Sequence, residues 1–263
     1  MPILAATLVV CSAIGVALVL ASVAFGKTPV TYSAGRTSAV ATRGGELVSG
    51  AERQVSRHTA RAVAAAINLR RGDLPTLKQG PSPTPGEVQQ DAQIAAALAR
   101  CYGGPPYSDV LADVASPPFL GGSGSSAGFI ASETEIFPSA ALASDDIDAG
   151  SKPGGIACIL SAWRAVMSPS APAGQVLRGH AVNIASVVAG TGIPFATRMT
   201  FTASPSASSN ANPTIVGRVD LFGFVRGQAE VQLTVQTDGA VPAASTERRL
   251  VTLLVARAGT AIG

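Results

Sequence analysis

Residues 3–26, ILAATLVVCSAIGVALVLASVAFG, carry no charge. As a helix rising about 1.5 Å per residue they span about 36 Å, enough for the hydrocarbon core of a bilayer. Two readings follow, a retained anchor and a cleaved signal peptide. Ser22, Val23 and Ala24 put small residues at the third and first positions before a signal-peptidase cut, yet no Lys or Arg opens the segment. Lys27, Arg36 and Arg43 come next, and the positive-inside rule would hold that side in the cytoplasm.

The cysteines argue for the outside. Cys11 sits within the apolar segment behind Val10, a poor residue ahead of a lipidated cysteine, which leaves Cys101 and Cys158 as the one pair beyond it. Neither belongs to a C-x-x-C or Cys/His spacing, so no metal site is expected. Cys101 ends a helix on its apolar face, and Cys158 lies on the small-residue back of another helix. A bond between them would close a loop of about 58 residues, worth about 4 kcal/mol in the chain-entropy model. Such a bond needs an oxidising compartment.

Residues 27–49 are rich in Thr, Ser, Gly and Ala without periodicity and read as a flexible tether. One globular domain, residues 50–263, follows. Basic charge concentrates beside the membrane segment: residues 27–71 hold eight Lys or Arg against Glu46 and Glu52, whereas residues 72–263 hold eleven against fourteen acidic residues. That excess suits a solvated helix face or anionic headgroups. The slightly acidic remainder, without an aromatic-basic stacking pattern, disfavours nucleic acid.

Periodicity assigns the elements. AERQVSRHTARAVAAAINLR and PGEVQQDAQIAAALARCYGG read as helices, the second with Ile94, Leu98 and Cys101 on one face. FIASETEIF alternates, with Ile130, Ser132, Thr134 and Ile136 on one face and Phe129, Ala131, Glu133, Glu135 and Phe137 on the other. SAALASDDI reads as a short helix. IACILSAWRAVM is a longer one, with Trp163 in the core and Cys158, Ser161, Ala162 and Ala165 as a small-residue back for a second helix. AVNIASVV, IPFATRMTF, TIVGRVDLFGFV and AEVQLTV read as strands, the last two as a hairpin turning at Arg226 and Gly227, and PAASTERRLVTLLVARA as a closing helix. The expected fold is α+β, a mostly antiparallel sheet of about five strands packed with helices.

Candidate sites are sparse. Gly124, Ser125, Ser126, Ala127 and Gly128 spell G-x-S-x-G, but Ser126 precedes a strand, the reverse of the strand–turn–helix order that exposes a nucleophile. A base would have to be His58 or His180, and Asp145, Asp146 or Asp148 would complete a Ser, Asp, His order. A glycine-serine turn is the simpler reading, and no catalytic residue is assigned. Arg71, Gly72 and Asp73 spell RGD, a weak three-letter match. Asp145, Asp146 and Asp148 lack the Gly and distal Glu of a calcium loop and read as helix-flanking surface charge. Glu133 and Glu135 share a face that is either a ligand groove or, more simply, the solvated side of the sheet.

The segments NLRRGDLP, ALARCYGG, SETEIFPSAALASDDI, IACILSAWRAV and GQAEVQLTV, with VPAASTERRLVTLLVARA, resemble an uncharacterised group of exported or membrane-anchored actinobacterial proteins. The element order over residues 50–260 is similar to sensor and lipoprotein domains with a PsbP-like sheet-and-helix layout. The resemblance implies a domain that binds ligands or partners outside the membrane and brings no catalytic motif. A non-catalytic extracytoplasmic binding or sensing module is therefore the leading expectation, taking a lipid or small hydrophobic ligand and no cofactor. Its groove is expected between the sheet and the closing helix, under the loop from Ser204 to Pro213. A structural or protein-contact envelope domain is the alternative.

Overall fold

The structure, a computed structural model, describes residues 56–263 apart from 82, 122–127, 169–170, 172–173, 206–212 and 239–242. Residues 3–26 and the tether lie outside the described residues. Among the described residues no helix is long and apolar enough to cross a membrane.

Among the described residues, eight strands and five helices form the domain. In chain order they are α1 (Arg57–Ile67), β1 (Lys78–Gln79), α2 (Pro85–Tyr102), β2 (Ala112–Ala115), β3 (Phe119–Gly121), β4 (Gly128–Ile136), α3 (Ala140–Ser151), α4 (Pro153–Met167), β5 (Gln175–Asn183), β6 (Phe195–Pro205), β7 (Thr214–Arg226), β8 (Ala229–Thr237) and α5 (Ala244–Ile262). The strands make one sheet in the order β1-β3-β4-β8-β7-β6-β5, with β2 also paired to β4, and the pairings are antiparallel. The α+β class and antiparallel sheet are as expected; the strand number is eight rather than about five. The extra strands β1, β2 and β3 have two, four and three residues and lie among prolines, too short to show an alternation. One expected strand moves: β5 ends at Asn183, and Ala185–Val188 form a 3-10 turn in place of the strand read through AVNIASVV.

Local chemistry sets the helix ends. The Ser56 hydroxyl accepts from the Thr59 N–H at 3.2 Å and the Ser139 hydroxyl from the Leu142 N–H at 3.3 Å, while Pro153 opens α4. The β7–β8 hairpin turns at Gly227, where φ of +55° suits a residue without a side chain.

Both faces of the central strands are covered. On one, α1 and α5 bury Phe119, Ile136, Phe222, Val231 and Leu233 under Ile67, Leu250 and Leu254. Each fully buried leucine there contributes roughly 1.5–3 kcal/mol. Ser132 and Thr134 share this face yet are buried, because their hydroxyls donate to Asn68 Oδ1 at 3.0 and 2.9 Å. On the other face α3 and α4 cover Phe129, Phe195, Met199, Phe201 and Leu221 with Ile147, Trp163 and Met167. Helix α2 packs across α4 on this side. The Cys101 and Cys158 sulfurs join the two helices at 2.01 Å, with Cα atoms 6.1 Å apart.

Candidate functional site

A cavity of ≈ 100 Å³ lies between the sheet and helices α2, α3 and α4. Its walls are apolar: Ile94 and Leu98 from α2, Ile159 and Trp163 from α4, Phe195 from β6 and Leu221 from β7. Helical spacing puts Ile94 and Leu98 on one stripe, and the small Ala162 lets α2 approach α4. One end of the cavity is polar, formed by Tyr102, Asp146, Glu230 and Gln232.

The carboxyls gather because of the pleat and the register. Glu135 stands directly opposite Asp113 on β2 and Glu230 on β8, and Glu133 lies opposite Gln232. Like charges in facing positions repel. From above, α3 drops Asp146 toward the row, so that one oxygen each of Glu135, Asp146 and Glu230 lies within 4.8 Å of the others. Tyr102 Oη donates to Asp146 at 3.1 Å, and Tyr107 Oη donates to Asp113 at 2.7 Å. A second hole of ≈ 20 Å³ touches Tyr102, Tyr107, Glu135 and Asp146.

The electrostatics follow from this crowding. Burial, then the Asp146 charge, pushes Glu230 well above the usual carboxyl range. For Glu135 burial leads and Asp113 comes next; for Glu133 the Asp113 charge leads, followed by burial. Burial also raises Asp146, opposed by the Tyr102 hydrogen bond, and it raises the Tyr102 and Tyr107 phenols, each beside an aspartate. The ion pairs Arg198–Asp220 and Arg257–Asp73 both lie on the opposite face of the sheet, so neither offsets this charge.

The sequence reading of these residues divides. Glu133 and Glu135 do share a face, but it lies under helices and is not the solvated side. Asp145 and Asp148 are exposed on α3 as expected, whereas Asp146 is 6% exposed and belongs to the cluster, which corrects its assignment to surface charge. Glu230 and Gln232 were missed: the alternation of AEVQLTV marked Val231, Leu233 and Val235 as inward, and both faces of β8 are inward. The groove expected at the closing helix is a second space, of ≈ 220 Å³, beside Leu77, Phe119, Thr246 and Glu247. Of the loop expected above it, residues 206–212 lie outside the described residues, and Ser204 and Pro213 are not among its described lining.

Ser126 lies outside the described residues, and His180 is exposed on β5. The RGD triplet forms a 3-10 turn whose Asp73 carboxylate receives two Arg257 hydrogen bonds at 2.7 Å each and so has an internal partner.

No protein-family model matches the chain, and no curated protein matches it. Among solved structures, the extracellular domain of PknH from Mycobacterium tuberculosis is similar over 76% of this chain and 97% of that one, at 11% identity and a TM-score of 0.41. A likeness at that level carries no argument about function.

Proposed function

We propose that the protein is a non-catalytic binding or sensing module of the cell envelope, on the extracytoplasmic side, that takes a small apolar ligand between the sheet and helices α2 to α4. The observation that carries this reading is the cavity itself, apolar on its walls and polar at one end, which is the usual constitution of a small-molecule site. Its ≈ 100 Å³ is about two thirds of the roughly 150 Å³ of an apolar cavity that holds benzene, so the part enclosed is a short alkyl chain or part of one ring. The cysteine pair supports an oxidising compartment, and residues 3–26 support attachment to or export across a membrane.

Trp163 provides the test, because it is the sole tryptophan of the chain and it faces the cavity. The full chain in detergent is titrated with bromobenzyl alcohol, whose bromine quenches tryptophan on contact, in the presence of a chelator. Saturable quenching is expected in the wild type and not in Ala162→Leu, which fills the cavity with an apolar side chain. Equal, non-saturating quenching of both proteins would refute the reading.

The structural alternative has one observation of its own. Val176 and Val182 on the edge strand β5 are 47% and 42% exposed, on a face they share with the exposed Arg178 and His180, and a protein partner added at this edge would cover them.

A further inference from the structure

We propose that Glu135, Asp146 and Glu230 form a binding site for a divalent cation of the calcium class, at the polar end of the cavity between the sheet and α2 to α4. The site goes beyond the apolar-ligand reading and does not depend on it. Three structural elements, β4, α3 and β8, each supply one carboxylate, and their nearest oxygens lie within 4.8 Å of one another. A hard cation takes oxygen ligands at 2.3–2.6 Å, and a spacing of this size lets one ion touch all three. With no histidine or cysteine among the donors, the set selects against zinc and copper and for calcium, magnesium or manganese.

Further observations point to an occupant. Glu230 is 1% exposed; its Oε1 accepts from the Gln232 amide at 3.0 Å, while its Oε2 meets no N–H or hydroxyl donor and has the Asp146 carboxyl as its neighbour. A buried carboxylate oxygen left so is costly unless something positive or a proton meets it. Space lies on both sides of the cluster: Glu230 and Asp146 line the ≈ 100 Å³ cavity, Glu135 and Asp146 line the ≈ 20 Å³ hole, and Asp146 is common to the two. The neighbours behave as an outer layer. Tyr102 donates to Asp146, Tyr107 donates to Asp113, and Asp113 and Glu133 add negative charge around the three donors. The chain also passes tightly behind the site, since a side-chain carbon on Gly104 would stand 2.5 Å from Asp146 Oδ1.

The test is terbium luminescence on the full 263-residue chain in detergent, stripped with a chelator. Trp163 lines the same cavity and Tyr102 touches Asp146, so a terbium ion held there is sensitised by excitation of the aromatic rings. Expected is a saturable emission that calcium displaces with a dissociation constant on the order of 10⁻⁴–10⁻³ M, the range of extracellular calcium modules. Asp146→Asn combined with Glu230→Gln weakens it at least tenfold, whereas Asp145→Asn combined with Asp148→Asn, exposed on the same helix, leaves it unchanged. Should the first pair fail to fold, calcium raising the melting temperature of the wild type but not of Glu135→Gln serves the same end. Absent or non-saturating emission, emission retained by the first pair and lost by the second, or stabilisation by butylammonium but not by calcium each overturns the proposal. Saturable Trp163 quenching in chelator without terbium binding would sink the cation site and leave the apolar-ligand reading standing.

Discussion

Glu247 lies in the first turn of α5, fully buried, with neither carboxyl oxygen hydrogen-bonded to a donor. Beneath it Asp220 holds the Arg198 guanidinium, Nε to Oδ1 at 2.7 Å. Burial first, then the Asp220 carboxylate, raises the Glu247 carboxyl from 4.5 to about 9 against the opposing Arg198 charge. At neutral pH it is therefore protonated and placed to donate to Asp220. A carboxyl with a folded value above its unfolded one binds more protons when folded. Its contribution to stability is complete below about pH 4.5 and is lost progressively as pH rises toward 9. At about 1.4 kcal/mol per pH unit, keeping that proton at pH 7 costs at most about 3.5 kcal/mol. Glu247→Gln supplies an N–H to Asp220 with no proton to hold. In urea unfolding followed by Trp163 emission, the stability of the variant relative to wild type should rise by up to about 4 kcal/mol between pH 5 and pH 8. Other titrating groups are common to both proteins and cancel in the difference. Parallel pH profiles for the two would refute the buried, protonated state of Glu247.

Cys101 and Cys158 should be oxidised in the mature protein, a loss of two hydrogens by mass spectrometry, and replacing both by alanine should lower stability by about 4 kcal/mol. Free thiols in protein taken directly from cells would contradict the extracytoplasmic placement. Arg257→Ala removes the bidentate partner of Asp73 and a donor to the Asn68 carbonyl, so it should cost about 2 kcal/mol in urea unfolding. Against burial, which raises it, the Arg257 hydrogen bonds and the Arg70 N–H hold the Asp73 carboxyl below its ordinary value, so the loss should shrink as pH falls through the folded value of Asp73.

The two faces of FIASETEIF were legible because strand alternation depends only on the pleat. Whether each face meets water was not, because that depends on helices far away in sequence. Glu135 and Glu230 are 95 positions apart and meet through the β4–β8 register, a pairing of strands with β5, β6 and β7 between them in the chain. Periodicity within AEVQLTV separates Val231 and Leu233 from Glu230 and Gln232 but cannot show that α2 to α4 cover the polar side. Asp146 was hidden by composition: SDDID reads as surface charge, and only the burial of Ala143, Ile147 and Ala149 in α3 turns that one aspartate inward. The helices fared better. Ile94, Leu98 and Trp163 showed as apolar stripes, and the small back of α4 indicated where a second helix would sit. That second helix, α2, is the one that closes the cavity.

The most direct test of the central claim is a crystal structure of the protein soaked with bromobenzyl alcohol, read by the anomalous signal of bromine. The account predicts a single strong peak in contact with Leu98, Trp163 and Leu221, lost in Ala162→Leu. A peak only beside Leu77 and Phe119 on the α5 face, or none at saturating probe, would contradict it.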